Sequence, residues 1–204
     1  ETNGKTLIEH SVDTLGVHGK YIFITRKYDN PEHNRLLTKR LKEIQPDCIE
    51  IQLDKPTRGA TETALAAKSY INNASQLIIT NCDQITDWNA KDFNDFIANP
   101  NIDGVVVTYP SVNPKNSFAI VEDNYVTKLI EKDPVSDIAL IGVHYWKEGH
   151  VFVKSAEKLL EDFTKKKRPE CYISETYNYL IKSGFKIKNY HISANEYIPL
   201  GTPY

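Results

Sequence analysis

The sequence contains no methionine. Glu1 is therefore expected to follow residues encoded upstream rather than to be a translation start. Cysteine is scarce: Cys48, Cys82 and Cys171 are the three, and no two of them form a CxxC pair. That excludes a disulfide framework and a cysteine-based zinc site. The six histidines lack HxxxH or HxH spacing. No stretch approaches the ~18 apolar residues needed to span a bilayer, and the opening ETNGKT is not a signal peptide. A cytoplasmic protein with no membrane partner is expected. Dense charge of one sign is also missing. The net charge is −2, and the 25 Lys and Arg are spread along the chain apart from the KKKR run at 165–168. That run reads as the solvated end of a helix, where cations suit the dipole, so no nucleic-acid partner is expected.

What is present describes a globular chain. Its 204 residues, 40% hydrophobic and 25% charged, can bury a full core as one domain, 1–204. There is no internal repeat or low-complexity linker. Residues 6–15 place Leu7, Ile8, Ser11, Val12 and Leu15 on one helical face, ended by Gly16. YIFIT, inside 20–25, reads as a buried strand. Residues 31–44 read as a helix with Leu36, Leu37, Leu41 and Ile44 inward, closed by Pro46. Further along come a strand at 48–53, a loop at 54–59 and an alanine-rich helix at 60–71. A strand at Leu77, a helix at 91–98 and a buried strand at 104–109 complete the first half. Such alternation predicts an α/β fold: a Rossmann-like, doubly wound, mostly parallel sheet with helices on both faces. Past Pro110 the pattern turns to strands. Residues 117–121 and 125–130 flank EDN at 122–124, a hairpin signal. A long strand at 138–146, helices at 151–163 and 172–181 and a late strand at 185–192 follow. The boundary divides the domain into halves, 1–110 and 111–204, with a small β-rich lobe in the second.

The pivotal stretch is QLIITNCDQ, residues 76–84. Leu77, Ile78, Ile79 and Thr80 form a short β-branched run of the kind buried inside a parallel sheet, and it stops abruptly at polar residues. Ligands in open α/β sheets bind at the carboxyl ends of such strands. Asp83 sits there, where a carboxylate suits Mg²⁺ held against substrate phosphates. The same residue would equally cap the next helix or turn.

Taken in order, several pieces resemble the sugar-phosphate nucleotidylyltransferases: NGKTLIEH at 3–10, KPTRGATETALAA at 55–67, LIITNCDQ at 77–84, VTKLIEKDPVSDIALIGVHYW at 126–146, PECYISETYNYLI at 169–181, and LGTP at 200–203. The resemblance covers nearly the whole chain. It implies a Rossmann-like fold related to that of nucleotide-sugar glycosyltransferases. It also implies Mg²⁺-dependent transfer of a nucleotidyl group from a nucleoside triphosphate to a sugar phosphate or similar ester, with release of pyrophosphate. The half 1–110 would bind nucleotide and the half 111–204 the acceptor.

Residue by residue, the resemblance assigns Thr57, Gly59 and Ala60 to the base, where a Cβ at Gly59 would meet the ligand. Asp83 becomes the metal-binding and catalytic aspartate. Lys132 becomes the catalytic cation that holds the acceptor's phosphate. Glu131 would accept hydrogen bonds from acceptor hydroxyls or amines, and Gly142 and Glu170 would lie close to the acceptor. Two departures stand out. The family's first strand, glycine-rich loop and K-P-L segment precede its NGK-type motif and are not in the sequence as given. The chain by itself is accordingly expected to be inactive and to lack a strand of its sheet. Many members also carry a second metal aspartate two residues before the GTP-like motif, where this chain has Pro199, which cannot ligate. The alternatives are a glycosyltransferase of the related fold, against which the DQI at 83–85 lacks a second aspartate, and a non-catalytic nucleotide-binding or regulatory module. The sequence names neither base nor acceptor, and it leaves room for a homo-oligomer.

Overall fold

A computed structural model describes residues 4–166 and 170–201. Parts of four sequence motifs lie outside these: Asn3 of the NGK motif, Lys167 and Arg168 of the basic run, Pro169 of PECYISETYNYLI, and Thr202 and Pro203 of LGTP. The chain opens with α1 (Leu7–Leu15), β1 (Ile22–Arg26), α2 (Pro31–Ile44), β2 (Ile49–Leu53), α3 (Ala60–Leu65), α4 (Lys68–Ile71), β3 (Leu77–Thr80), β4 (Gln84–Thr86), α5 (Ala90–Ile97) and β5 (Gly104–Pro110). It continues with β6 (Ser117–Glu122), β7 (Tyr125–Glu131), β8 (Ile138–Trp146), α6 (Gly149–Lys166), α7 (Glu175–Lys182), β9 (Ile187–His191) and β10 (Tyr197–Pro199). The class is the α/β one expected.

Local chemistry accounts for most boundaries. Thr6 and Glu9 form a reciprocal capping box at the start of α1, and Gly16 ends it in the left-handed region at φ 63°. Asn30 caps α2 ahead of Pro31 at its first turn, where a missing N–H costs nothing. Asp123 and Asn124 both take positive φ, 49° and 63°, in the two-residue turn joining β6 to β7, the geometry that fits strand twist. The alanine-rich helix expected over 60–71 is instead two pieces. Ala66 and Ala67 donate to the carbonyls three residues back, Thr63 and Ala64, and this tighter winding separates α3 from α4.

The central sheet runs β7-β6-β8-β5-β9, with β3 also paired to β8. It is mixed. β5 and β9 are parallel, as are β1 and β2 in a separate pair, whereas β8 runs antiparallel to β3, β5 and β6. The β6–β7 hairpin joins this sheet as its edge through one bridge, Phe118 to Ala139, beside the carboxyl end of β5, so the β-rich lobe is continuous with the sheet. Successive residues of β5 feed opposite cores, as the two-residue period of a strand requires. Val106 packs with Trp146, Phe152 and Tyr177 under α6 and α7, while Val105 and Val107 pack with Leu15, Phe93 and Ile97 under α1 and α5. Leu36, expected inward on α2, is 49% exposed because at 3.6 residues per turn it lies about 140° round the helix from Leu41, which is 2% exposed. Among the described residues no helix is long and apolar enough to cross a membrane.

Candidate active site

The sequence-predicted residues fall into two groups. The first surrounds Asp83. β3 ends at Thr80, and Asn81, Cys82 and Asp83 follow as an exposed loop. Two elements hold that loop. The Asn81 N–H donates to the Gly142 carbonyl at 3.2 Å, and the Ser11 hydroxyl of α1 donates to the Asn81 carbonyl at 3.1 Å. Gly142 itself has φ 85° and lies where β8 bulges away from β5. A Cβ there would collide with the Asn81 side-chain amide. Its place in the fold is thus beside the loop that carries Asp83, and a side chain at 142 would push that loop away.

On its other side, Asp83 meets the chain's last described turn. The Leu200 N–H donates to the Asp83 carbonyl at 2.8 Å, and a Cβ on Gly201 would strike the Asp83 carboxylate. β4 and β10, neither expected from the sequence, bring this about by pairing Gln84 with Pro199. Among the described residues no group of three or more His, Cys, Asp and Glu could hold a metal ion. One exposed carboxylate fits a Mg²⁺ that arrives with phosphate and water ligands, and does not amount to a free-standing metal site.

The second group is tied together by residues 170–174. Gly59, at φ 134°, faces the backbone there: a Cβ would sit 2.5 Å from the Cys171 carbonyl oxygen and 3.1 Å from Glu170 Cγ. The Cys171 N–H donates to the Arg58 carbonyl at 3.0 Å, and the Thr61 N–H to the Cys171 carbonyl at 3.3 Å. The Cβ that was expected to meet a base would therefore meet protein backbone first. Thr57 folds its hydroxyl back to the Gly59 carbonyl at 3.1 Å, and Ala60 is exposed at the start of α3. Arg58 and Glu62 form a surface ion pair, and the Arg58 hydrogen bond holds the Glu62 carboxyl below its ordinary range.

Glu131 ends β7. Its carboxylate accepts from the Ser174 hydroxyl and, at 2.7 Å, from Ser117. Burial pushes this carboxyl up, and the two hydroxyls oppose that. Two of its acceptor positions are thereby used by the chain itself, and a carboxylate has about four. Lys132 follows in the left-handed region at φ 55°, which costs an L-residue roughly 1–2 kcal/mol. The Lys132 N–H donates to the Asn116 carbonyl at 2.9 Å, fixing that turn. Its Nζ lies 3.6 Å from Glu170 Oε2 and 4.7 Å from the centre of the Tyr172 ring. The Tyr172 hydroxyl in turn donates to Glu170 Oε2 at 2.6 Å.

Sequence reasoning missed Ser117, Ser174 and Tyr172. Ser174 occupies the position before α7, where a serine ordinarily caps the helix, yet its hydroxyl makes no cap and goes to Glu131. Tyr172 carried one signal, its place two residues after Glu170. The helix expected from 172 begins at Glu175, because residues 172–174 form the turn that makes these contacts.

No known family's sequence profile matches the chain, and no curated protein matches it. Solved structures do. The nucleoside-diphosphate-sugar pyrophosphorylase from Vibrio cholerae RC9 superposes with a TM-score of 0.81 at 22% identity, over 100% of this chain and 86% of that one. The inositol-1-phosphate CTP transferase from T. maritima gives 0.75 at 13% identity, over 100% and 79%. A UDP-glucose pyrophosphorylase complexed with UDP-glucose gives 0.69 at 14%, over 94% and 80%. The chain shares its α/β fold with these nucleotide-sugar pyrophosphorylases and nucleotidyltransferases.

Proposed function

We propose that this chain is a nucleotidylyltransferase that moves a nucleoside monophosphate from a triphosphate to a sugar phosphate or similar phosphorylated acceptor. The observation that carries the reading is the placement of Asp83 just past the carboxyl end of β3, with Lys132 on the turn leaving β7. An acceptor phosphate oxygen attacks the α-phosphorus, the bond to the bridging oxygen breaks, and pyrophosphate leaves. No covalent intermediate is needed, so catalysis is positioning and charge stabilisation. The loop of Thr57, Gly59 and Ala60 borders the base through its backbone, while the side of Gly59 that a Cβ would occupy is turned to Cys171. Asp83 would hold Mg²⁺, which when bound would supply positive charge to offset that of the phosphates. Lys132 holds the acceptor's phosphate. The remaining lone pairs of Glu131 accept from acceptor hydroxyls or amines, and Glu170 and Gly142 border that side. The three free thiols fit a reducing, cytoplasmic setting.

The test supplies each nucleoside triphosphate with Mg²⁺ and a panel of phosphorylated acceptors and follows pyrophosphate. Turnover with one pair is expected of the intact gene product. Lys132→Ala should then raise the acceptor KM about 10- to 150-fold, the worth of a charge-assisted contact at ~1.5–3 kcal/mol, and spare the triphosphate KM. Sugar transfer from a nucleotide-sugar without pyrophosphate release would identify a glycosyltransferase, and nucleotide binding without turnover a regulatory module.

A further inference from the structure

Lys132 is held more closely than a surface lysine ordinarily is. Its side chain is 53% exposed and that of Glu170 47%, so their ion pair alone would confine it little. Two other features do so. The backbone is fixed in the left-handed region by Asn116, which is anchored through its own amide to the Tyr109 hydroxyl at 2.9 Å. The Tyr172 ring then lies under the ammonium at 4.7 Å, a cation–π distance. Tyr172 is itself fixed at both ends, by its hydroxyl on Glu170 and by its N–H to Glu175 Oε2 at 3.3 Å. The charged and titratable groups that face the ammonium are Tyr172, Glu170 and Glu131, and Glu175 faces Glu131. Contacts to Tyr172 and Glu170 hold the Lys132 ammonium above its ordinary range, so it stays charged.

We propose that Tyr172 is a positioning residue for Lys132: its ring parks the ammonium at the acceptor side of the cleft, and an incoming phosphate takes Glu170's place as its partner. The identity of that phosphate rests on the function proposed above. A free lysine side chain samples many rotamers, and ordering it on binding weakens affinity. A ring that confines it beforehand lowers that cost. Glu170 gives up the ammonium readily because the Tyr172 hydroxyl remains bonded to the same oxygen.

The experiment uses ¹³C-dimethylated lysines in the whole chain, with the Lys132 resonance identified by its loss in Lys132→Ala. In the wild-type protein that resonance should be shifted upfield by the ring current of Tyr172. The shift should vanish in Tyr172→Leu, persist in Tyr172→Phe, and respond to added inorganic phosphate. In steady-state kinetics Tyr172→Leu should raise the acceptor KM about two- to fivefold, the range of an exposed cation–π contact, without changing the triphosphate KM. Tyr172→Phe should keep the low acceptor KM. A Lys132 resonance at the ordinary lysine position overturns the proposal, as does a Tyr172→Leu change in both KM values or in neither. If no triphosphate and acceptor turn over, the nucleotidylyltransferase reading fails by itself. The resonance then decides the role of Tyr172, and its indifference to phosphate overturns that role.

Discussion

β1 and β5 are both short, apolar and rich in β-branched residues, IFITR and GVVVTYP, yet the fold treats them differently. In β5, Val105, Val106 and Val107 are each 0% exposed. In β1, every residue from Ile22 to Thr25 is only half-buried and Arg26 is exposed. The difference is one of neighbours. β5 is hydrogen-bonded on both edges, to β8 and β9, and covered by helices on both faces. β1 pairs only with β2, and β3 only with β8, so each keeps one edge without a strand partner among the described residues. Composition makes a strand. Burial depends on what other parts of the chain place beside it.

The largest expected effect sets the two regions directly against each other. Trp146→Ala, in the fully buried end of β8, should cost about 3–5 kcal/mol in urea denaturation, as large-to-small changes in packed cores do. Phe23→Ala in half-buried β1 should cost less than half as much. Equal costs would mean that β1 is as much a part of the cooperative core as β8.

A second test uses pH. His144 is buried on β8 beside the stacked rings of Trp146 and Tyr177, and burial lowers its pKa from 6.5 to about 3. Its depressed folded value means that the unfolded chain protonates first. The stabilisation is therefore complete above pH 6.5 and is lost progressively as pH falls toward 3. The slope is on the order of 1.4 kcal/mol per pH unit, or about 2 kcal/mol between pH 6.5 and 5. His144→Phe should flatten this dependence between pH 7 and 5, and an unchanged slope would place the titration elsewhere. No histidine of β1 or β2 contributes, because those strands contain none.

The smallest effect probes how the rigid region reaches the site. Gly142→Ala should cost about 1–2 kcal/mol for the left-handed backbone alone. By displacing Asn81 it should also weaken Mg²⁺–triphosphate binding, measured by calorimetry. A stability loss with unaltered nucleotide binding would separate Gly142 from the Asp83 loop.

Several features were legible because a local rule suffices for them. Gly16 closes α1's last turn, and Asp123-Asn124 make the hairpin. The triple valine of β5 marks a strand buried on both faces. Asp83 and Lys132 were visible as residues following strands. Other features depend on partners far away in sequence. Leu36 is apolar but turns about 140° away from Leu41 on α2, and the packing buries only the Leu41 side. Ser174 reads as a cap but serves Glu131, 43 positions earlier. Pro199 reads as a lost ligand, yet it pairs with Gln84 and carries Leu200 and Gly201 up to Asp83.

The sequence by itself determined the α/β class, the order of the longer elements and the residues offered at the strand ends. Period, caps and turn residues act within a few positions and need no partner. Only the tertiary structure decided that β8 runs antiparallel through the sheet and that β1 stays half-buried. It also decided that Gly59 faces the Cys171 backbone and that Lys132 rests on Tyr172. Each of these is a contact between segments brought together by sheet pairing and burial, and no local pattern encodes which surface will arrive.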